Sequence, residues 1–265
     1  MEPNPGFESF QVFEDINDCA VVARKGDTCM AVFQATNFDN PLDVMQLLDY
    51  NLDTVGSCTF RAGIVSAYRS SYYEGFVREV DRCMSMTRNM HAKLILGGHS
   101  QGGAIAVVAS ADLKRHNPTV VTFGSIRALH EDCPDVVPEN HYRFANALHS
   151  TYDYWPMVMN KNGDHFGHAV YLDPMSSNLA TYTGLNDDTN REPTDMLENH
   201  DPDIYYVALS QLIHAAPQSM QCASGDGAAV IGLRMLGWED GHYCIGADEC
   251  KGSFCTDNHC ASTRL

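Results

Sequence analysis

The chain has 265 residues, 44% of them hydrophobic, so it can bury a sizeable core in one main domain. It carries 34 acidic and 17 basic residues, a formal net charge of −17, which argues against nucleic acid and anionic membranes as partners. No window approaches the roughly 18 consecutive apolar residues of a membrane-spanning helix. The composition therefore predicts a soluble protein, expected to be a monomer, that acts on a neutral or apolar substrate.

The N-terminal segment and the cysteines point to different compartments. MEPNPGFESF lacks the basic and apolar regions of a secretory leader. An even number of cysteines, four of them near the C-terminus, instead indicates disulfides in an oxidising compartment. We therefore expect a secreted mature form whose leader was replaced by a start Met. The candidate disulfide cysteines are Cys19, Cys29, Cys58, Cys83, Cys133, Cys222, Cys244, Cys250, Cys255 and Cys260.

The first half of the chain begins with a predicted hairpin. Its strands are residues 19–24 and 28–35, and a Cys19 to Cys29 bridge near the open end is plausible. From Gly63 to Cys83, apolar residues recur every three or four positions, which predicts one long amphipathic helix. Cys58 and Cys83 flank this helix, so we expect them to form a bridge rather than a redox pair.

Further along the chain, buried apolar runs alternate with helical segments. This alternation predicts a parallel sheet with helices on both faces. The predicted strands are residues 94–96, PTVVTFGS, HYRFANAL and HAVYL, and the predicted helices are residues 100–114 and DIYYVALSQLI.

After about residue 218 the composition shifts to glycine, cysteine and acids. We expect residues 1–221 to form the main domain and residues 222–265 a disulfide-rich extension. The extension lacks the paired C-x2-C knuckles of a zinc ribbon, and His165 and His168 have no apparent third ligand, so we expect no metal site.

Residues 98–102 read Gly98-His99-Ser100-Gln101-Gly102 and match the G-x-S-x-G motif. The string occurs by chance in glycine-rich turns, but here it follows a predicted strand and opens a helix, as a nucleophile elbow requires. Glycine tolerates the close approach of strand and helix that exposes the serine. Ser100 is therefore a candidate nucleophile, while His99 is expected to pack or hydrogen-bond under the turn.

A serine nucleophile needs a histidine base and an orienting carboxylate, which follow it in the chain order Ser, Asp or Glu, His. Twelve histidines and many acids leave several choices. Two loop positions beside regular elements are favoured: Asp153 in HSTYDYWP and His200 in LENHDPDIYYVAL.

Over most of residues 18–215 the sequence resembles the class 3 lipase family, which includes fungal triacylglycerol lipases and type A feruloyl esterases. The resemblance implies an α/β-hydrolase fold with a central, mostly parallel sheet. It rests on GGHSQGGAIA, on VTFGSIRA with Gly124 and Arg127, on HSTYDYWPMV, on HFGHAVYLDP with His168, Tyr171 and Pro174, and on NHDPDIYY.

Carried over residue by residue, the resemblance makes Ser100 the nucleophile, Asp153 the orienting acid and His200 the general base. An acyl-transfer site also needs oxyanion donors, and one is the backbone N–H of Gln101, where the family usually has Leu or a small residue. AVFQATN resembles the family's F-R-G-[ST] stretch, with Gln34 and Ala35 replacing Arg and Gly, and so implies Thr36 as the second donor, through its backbone N–H and its hydroxyl. Without the family, Thr36 reads equally as a plain strand-end residue.

The family places its lid at residues 37–49. This segment mixes apolar and polar residues, so we expect an amphipathic flap with its apolar side facing the protein, although some apolar residues read equally as core. Taken with the resemblance, this lid implies a triacylglycerol lipase without metal or organic cofactor that works through an acyl-enzyme, with a lipid–water interface as a candidate partner. A feruloyl or other short-chain carboxylesterase is the alternative, and a non-catalytic binding module is a second one. The lid candidates are Phe38, Leu42, Met45 and Leu48.

Overall fold

A computed structural model describes most of the first 146 residues and several shorter segments beyond them. Asp153 lies outside the described residues, as does most of the C-terminal extension. None of the helices within the described ranges combines the length and apolar character needed to cross a bilayer. The described residues are 7–16, 18–86, 92–130, 133–146, 165, 167–172, 180–185, 200–206, 254–256 and 259–261.

Most of the strands belong to one sheet. The strands, in chain order, are β1 (Ser9–Glu14), β2 (Cys19–Lys25), β3 (Thr28–Phe33), β4 (Leu52–Val55), β5 (Cys58–Arg61), β6 (Lys93–His99), β7 (Thr119–Phe123), β8 (His141–Asn146), β9 (His168–Leu172), β10 (Ala180–Leu185), β11 (Phe254–Thr256) and β12 (His259–Ala261).

The main sheet has eight strands in the order β1-β2-β3-β6-β7-β8-β9-β10. The five central strands from β3 to β9 pair in parallel, and antiparallel strands flank them on both sides. The parallel centre contains short apolar strands, and α-helices connect β3 to β6 and β6 to β7, which brings the chain back to start each of these strands in the same direction. The central, mostly parallel sheet predicted from the sequence is confirmed.

Four helices of more than one turn lie in the described first half of the chain. Proline stands at the first position of α1, and the Asn40 side chain accepts the Leu42 N–H at 3.1 Å, which satisfies an otherwise unpaired donor at the start of that helix. The helices are α1 (Pro41–Leu48), α2 (Ala62–Tyr68), α3 (Tyr73–Met86) and α4 (Gln101–Asp112).

The single long helix predicted from Gly63 to Cys83 is wrong. The chain forms α2, breaks at residues 69–72, and starts again as α3. Ser70 and Ser71 at the break are poorer helix formers than Ala67 or Arg69, and Asp15 accepts the Ser71 N–H at 3.1 Å outside the helix. The apolar spacing continues across the break, which is why it reads as one helix.

The core lies between the helices and one face of the sheet. Phe33 at the end of β3 packs against Phe76 and Tyr68, with ring centroids 5.2 and 6.2 Å apart. The Tyr68 hydroxyl donates to Asp112 of α4 at 2.8 Å, so its polar end is satisfied. Burying each of these rings contributes roughly 1.5 to 3 kcal/mol, and together they hold α2, α3 and α4 to one another and to the end of β3.

Both disulfide pairs expected in the first half are wrong. Cys29 bonds Cys83, and Cys58 bonds Cys133, while Cys19 carries a free thiol. Cys29 lies opposite Arg24 in the pairing of β2 with β3, beside the hairpin turn. Cys19 lies five residues before Arg24, about 17 Å away along β2, and so cannot reach Cys29. Cys83 sits on the face of α3 that packs on the sheet, which brings it to β3 instead.

In the C-terminal extension the structure describes only β11 and β12, which form an antiparallel hairpin with Cys255 opposite Cys260 in register. Cys222, Cys244 and Cys250 lie outside the described residues, as does the boundary expected near residue 221. The division into 1–221 and 222–265 therefore stays a prediction.

Candidate active site

Ser100 lies in the sharp turn between β6 and α4. Its backbone has φ 55° and ψ −123°, a conformation that non-glycine residues seldom adopt. The turn is held on both sides, because the Ser100 N–H donates to the Phe123 carbonyl at 2.9 Å and the Ser100 carbonyl accepts the Gly103 N–H at 3.1 Å. The strain is therefore supported by β7 and by the first turn of α4.

Two positions of the motif must be glycine because a larger side chain would overlap neighbouring backbone. A Cβ on Gly98 would lie 2.3 Å from the carbonyl carbon of Gly102, and a Cβ on Gly102 would lie 2.3 Å from the carbonyl oxygen of Phe33. Neither neighbour is a flexible side chain, so neither site accepts alanine without a backbone shift. This packing presses the start of α4 against the end of β3, the strand that leads to Thr36.

His200 meets Ser100 across 100 residues of chain. Its Nε2 lies 2.7 Å from Ser100 Oγ, which is hydrogen-bonding distance for a serine and its general base. Both residues are buried, with 5% and 6% of their surface exposed. The pair is thus a nucleophile and base in contact, shielded from water.

Residues 201–206 explain how His200 reaches this place. Asp201 caps the helical segment that follows, accepting the Asp203 N–H at 2.9 Å, and Pro202 stands at its first position. Tyr205 is buried one turn later, and its hydroxyl accepts the Asn146 N–H at the end of β8 at 3.2 Å. The helix start is therefore anchored to the carboxyl edge of the sheet, with His200 just before it.

His99, the residue before the nucleophile, packs directly on His200. Their ring centroids are 4.6 Å apart and tilted by 40°. Burial, followed by the nearby His200, lowers the pKa of His99 to about 4, so its ring is neutral at pH 7. His99 therefore packs against His200 as an uncharged ring, while its expected place beneath the turn stays a prediction.

The structure brings Thr36 to Gln101. The Thr36 hydroxyl donates to Gln101 Oε1 at 2.6 Å, and Gln101 is 1% exposed. As the first residue of α4, Gln101 has a backbone N–H with no carbonyl of its own helix to bond. Two residues that the sequence assigned to an oxyanion hole therefore flank the nucleophile turn, one after β3 and one after β6.

The predicted lid segment forms α1, but its orientation differs from the expectation. Its apolar side does not face the protein, because Leu42, Met45 and Leu48 are all more than half exposed, as is Phe38 just before the helix. The buried residues of α1 are Asp43 and Leu47. A pattern of alternating residues shows that a helix has two faces but not which one the protein covers.

Two buried carboxyl groups, one within α1 and one that contacts it, were not predicted from the sequence. Burial raises the pKa of Asp18 to about 7, and the Gln46 side chain donates to it at 3.3 Å. Asp43 Oδ2 accepts the Asn37 N–H at the start of the lid, and burial raises the pKa of this carboxyl too. The only sequence signal for Asp43 was its place in the first turn of a helix that begins at a proline.

The remaining predicted site residues divide into two groups. Asp153 and Pro174 lie outside the described residues. His165 is buried and His168 stacks on Tyr142 at 5.1 Å, so the described histidines of the H-x-x-H spacing lie in the fold rather than in a cluster of ligands. Within the described ranges no group of three or more His, Cys, Asp or Glu is placed to hold a metal ion.

Several solved structures that share this fold are fungal lipases. The lipase of Rhizopus microsporus var. chinensis is 17% identical, with a TM-score of 0.55 over 73% of this chain and 72% of its own. Lip2 lipase of Yarrowia lipolytica is 19% identical, with a TM-score of 0.54 over 74% and 77%. A mono- and diacylglycerol lipase of Aspergillus oryzae is 18% identical, with a TM-score of 0.50 over 74% and 76%. These likenesses show that the fold is the α/β-hydrolase fold.

A comparison with curated protein sequences finds no significant match. The family model of class 3 lipases, in contrast, matches residues 28–162, just over half of the 265 residues. This range contains the whole of β3, the lid segment, Ser100 and α4. The chain therefore belongs to the class 3 lipase family and is a carboxylic ester hydrolase.

Proposed function

We propose that the protein is a triacylglycerol lipase in which Ser100, His200 and Asp153 act as the catalytic triad. The observation that carries the proposal is the 2.7 Å contact between Ser100 Oγ and His200 Nε2 at a strained turn. Asp153 is assigned as the third member of the triad because its segment, HSTYDYWPMV, resembles the acid-bearing segment of the family.

In the proposed reaction, Ser100 Oγ attacks the ester carbonyl while His200 Nε2 accepts its proton. The backbone N–H groups of Thr36 and Gln101 stabilise the oxyanion, and Asp153 stabilises the imidazolium. His200 then protonates the leaving alcohol, which leaves an acyl group on Ser100. Water, deprotonated by His200, repeats the sequence and releases the acid. Activity is expected to fall in acid, because a protonated His200 cannot accept the serine proton.

The lid helix supports a lipid ester as substrate. Phe38, Leu42, Met45 and Leu48 present apolar surface to solvent beside a buried nucleophile. Exposed apolar residues grouped on one helix face are typical of a surface that contacts an apolar phase. The net charge of −17 disfavours anionic lipids, so neutral acylglycerols at an oil–water interface are the substrate that this face fits.

The disulfides support a location outside the reducing cytosol. Cys29–Cys83 and Cys58–Cys133 both close long stretches of chain, and disulfides persist mainly in oxidising compartments. We therefore propose a secreted, monomeric enzyme of lipid degradation, with residues 1–221 as the catalytic domain and residues 222–265 as a disulfide-tied extension.

The test is hydrolysis of p-nitrophenyl esters from acetate to palmitate, of methyl ferulate and of emulsified triacylglycerol. Ser100→Ala provides the blank, and we expect it to lower kcat on every substrate by at least about 10⁴-fold. His200→Asn and Asp153→Asn are expected to follow with losses of about 10³-fold or more. Ser110→Ala, a buried serine of the same helix, is the matched control and should retain activity.

The outcomes separate the candidate functions. Turnover of long chains or emulsion that depends on Ser100 supports the lipase. Turnover confined to acetate, butyrate or ferulate overturns the lipid substrate and leaves a carboxylesterase. Activity of Ser100→Ala equal to the wild type removes the nucleophile assignment, and no turnover on any ester leaves a binding module.

A further inference from the structure

The Gln101 side chain occupies a position where the family usually has Leu or a small residue. Only the backbone N–H of this residue has a role in the proposed reaction. Yet the side chain is 1% exposed and its Oε1 accepts the Thr36 hydroxyl at 2.6 Å. A buried amide with one satisfied end is costly unless its other end also finds a partner.

The Asp43 carboxyl of α1 lies in the surroundings of the Gln101 amide. The Gln101 Nε2 and the Asp43 Oδ1 are both buried, and neither forms a hydrogen bond to another described residue. Burial raises the pKa of the Asp43 carboxyl, and the backbone N–H of Asn37 and the Gln101 side chain both oppose that rise. The hydrogen bond that the Gln101 side chain does form is therefore the one to Thr36.

We propose that the Gln101 side chain is a positioning residue of the ester-hydrolysis site, which holds the Thr36 hydroxyl and through it the loop after β3. The proposal rests on the proposed function, in which Thr36 supplies an oxyanion donor. Gln101 acts through Thr36 and not on the substrate.

The chemistry of a hydroxyl explains the effect. Thr36 has one hydroxyl proton, and while Gln101 Oε1 accepts it, the hydroxyl cannot also donate to the substrate. The bond instead fixes the side chain and the loop after β3, so that the Thr36 backbone N–H keeps its direction. Oxyanion donors act only when they are held in place before charge develops.

The same loop has a second attachment one residue further on. Asp43 Oδ2 of α1 accepts the Asn37 N–H, and Asn37 follows Thr36 in the chain. Gln101 therefore holds Thr36 by its side chain, while Asp43 holds the next residue by its backbone.

The test compares Gln101→Met with the wild type on p-nitrophenyl butyrate, a soluble ester that needs no interface. Methionine keeps the volume but removes both polar ends. We expect kcat to fall by roughly 10- to 100-fold while KM changes by less than about threefold, because the loss falls on the transition state. Ser110→Ala, which removes a buried hydrogen bond to the Val107 carbonyl in the same helix, is the control and is expected to keep kcat within about twofold.

A double-mutant cycle tests whether Gln101 acts through Thr36. Thr36→Val is expected to lower kcat, and adding Gln101→Met should lower it little further, because the bond is already absent. Multiplicative losses, or a Gln101→Met kcat within twofold of the wild type, would overturn the proposal. If Ser100→Ala is inactive and Gln101→Met is unaffected, only this inference fails, and the proposed function stands.

Thr36→Ser provides a second route if the methionine variant does not fold. Serine keeps the hydroxyl that donates to Gln101 Oε1, whereas Thr36→Val removes it. We expect Thr36→Ser to lose less of its kcat than Thr36→Val on p-nitrophenyl butyrate. Equal losses in the two variants would overturn the proposal.

Discussion

The helices α4 and α1 both belong to the candidate active site, but they differ in how they are attached to the rest of the protein. In α4 eleven of the twelve residues are buried, and the first turn touches backbone from β3 and β6. In α1 the buried residues are Asp43 and Leu47, while three apolar side chains face solvent. The helix behind the nucleophile is thus fixed by packing, and the lid helix is held mainly by hydrogen bonds.

This difference has a physical cause. Close packing offers no alternative arrangement at low cost, so α4 can maintain the strain at Ser100. A helix held by polar contacts exchanges them for water at a small net cost, since each hydrogen bond contributes about 0.5 to 1.5 kcal/mol. The site therefore combines a rigid nucleophile with a covering element that detaches more easily. The following predictions are ordered by their expected effect on the free energy of unfolding.

Gly102→Ala has the largest expected effect. Its Cβ would meet the Phe33 carbonyl oxygen at 2.3 Å, so β3 and α4 must separate. We expect a loss of at least about 3 kcal/mol in urea unfolding, with loss of activity. Gly26→Ala is the control, because Gly26 has φ +59° but no atom within 4 Å, and should cost only about 1 kcal/mol. Equal losses would mean that the close approach is not what requires glycine.

Arg61→Met tests the attachment of the lid helix. The buried guanidinium of Arg61 donates to the Leu47 carbonyl in α1 and lies 4.2 Å from the centre of the Tyr50 ring. Removing it leaves a buried carbonyl unpaired, so we expect a loss of about 2 to 3 kcal/mol and faster proteolysis near residues 41–50. Arg69→Met, at an exposed ion pair with Asp53, should cost less than about 1 kcal/mol. Proteolysis that leaves the lid intact would contradict the polar attachment.

Asp18→Asn should stabilise the protein in a pH-dependent way. Because burial raises the folded-state pKa of Asp18 to about 7 from 3.8, the folded protein holds this proton more tightly than the unfolded chain, and stability falls as pH rises between these values. The variant should exceed the wild type by roughly 1 to 3 kcal/mol at pH 8, allowing for partial solvent access, and match it near pH 4. Urea unfolding at both values is the measurement. A difference that grows towards pH 4 would show that Asp18 is ionised and paired instead.

Replacing Leu42, Met45 and Leu48 together by Ser should have the smallest effect on folding. Their side chains already contact water, so we expect stability to change by less than about 0.5 kcal/mol per site. Hydrolysis of emulsified triacylglycerol should fall by roughly tenfold, while p-nitrophenyl butyrate turnover stays within twofold. Val137 is an exposed apolar residue outside the lid, so Val137→Ser serves as the control and should change the hydrolysis rate of neither substrate. Equal losses on both substrates would mean that this face supports the site and not the interface.

Features formed by residues close together in the chain could be predicted from the sequence, whereas features formed by distant residues could not. The nucleophile turn is predictable because its glycines and its strand and helix are local in the chain. The assignment of His200, one of twelve histidines, needed the family resemblance, because its contact with Ser100 depends on the order of the strands in the sheet. The disulfides were mispredicted because Cys29 and Cys83 become neighbours only after α3 folds against β3. The lid orientation was mispredicted because Asp43 hydrogen-bonds beneath α1, which alternation alone does not reveal.

The exposed apolar face of α1 also has a consequence for handling the protein. At low ionic strength the net charge of −17 keeps molecules apart, but added salt shortens the screening length to about 3 Å at 1 M. Salts such as ammonium sulfate also strengthen the burial of apolar surface. Molecules should then associate through Phe38, Leu42, Met45 and Leu48 or adsorb to a phenyl column, and release again when the salt is diluted.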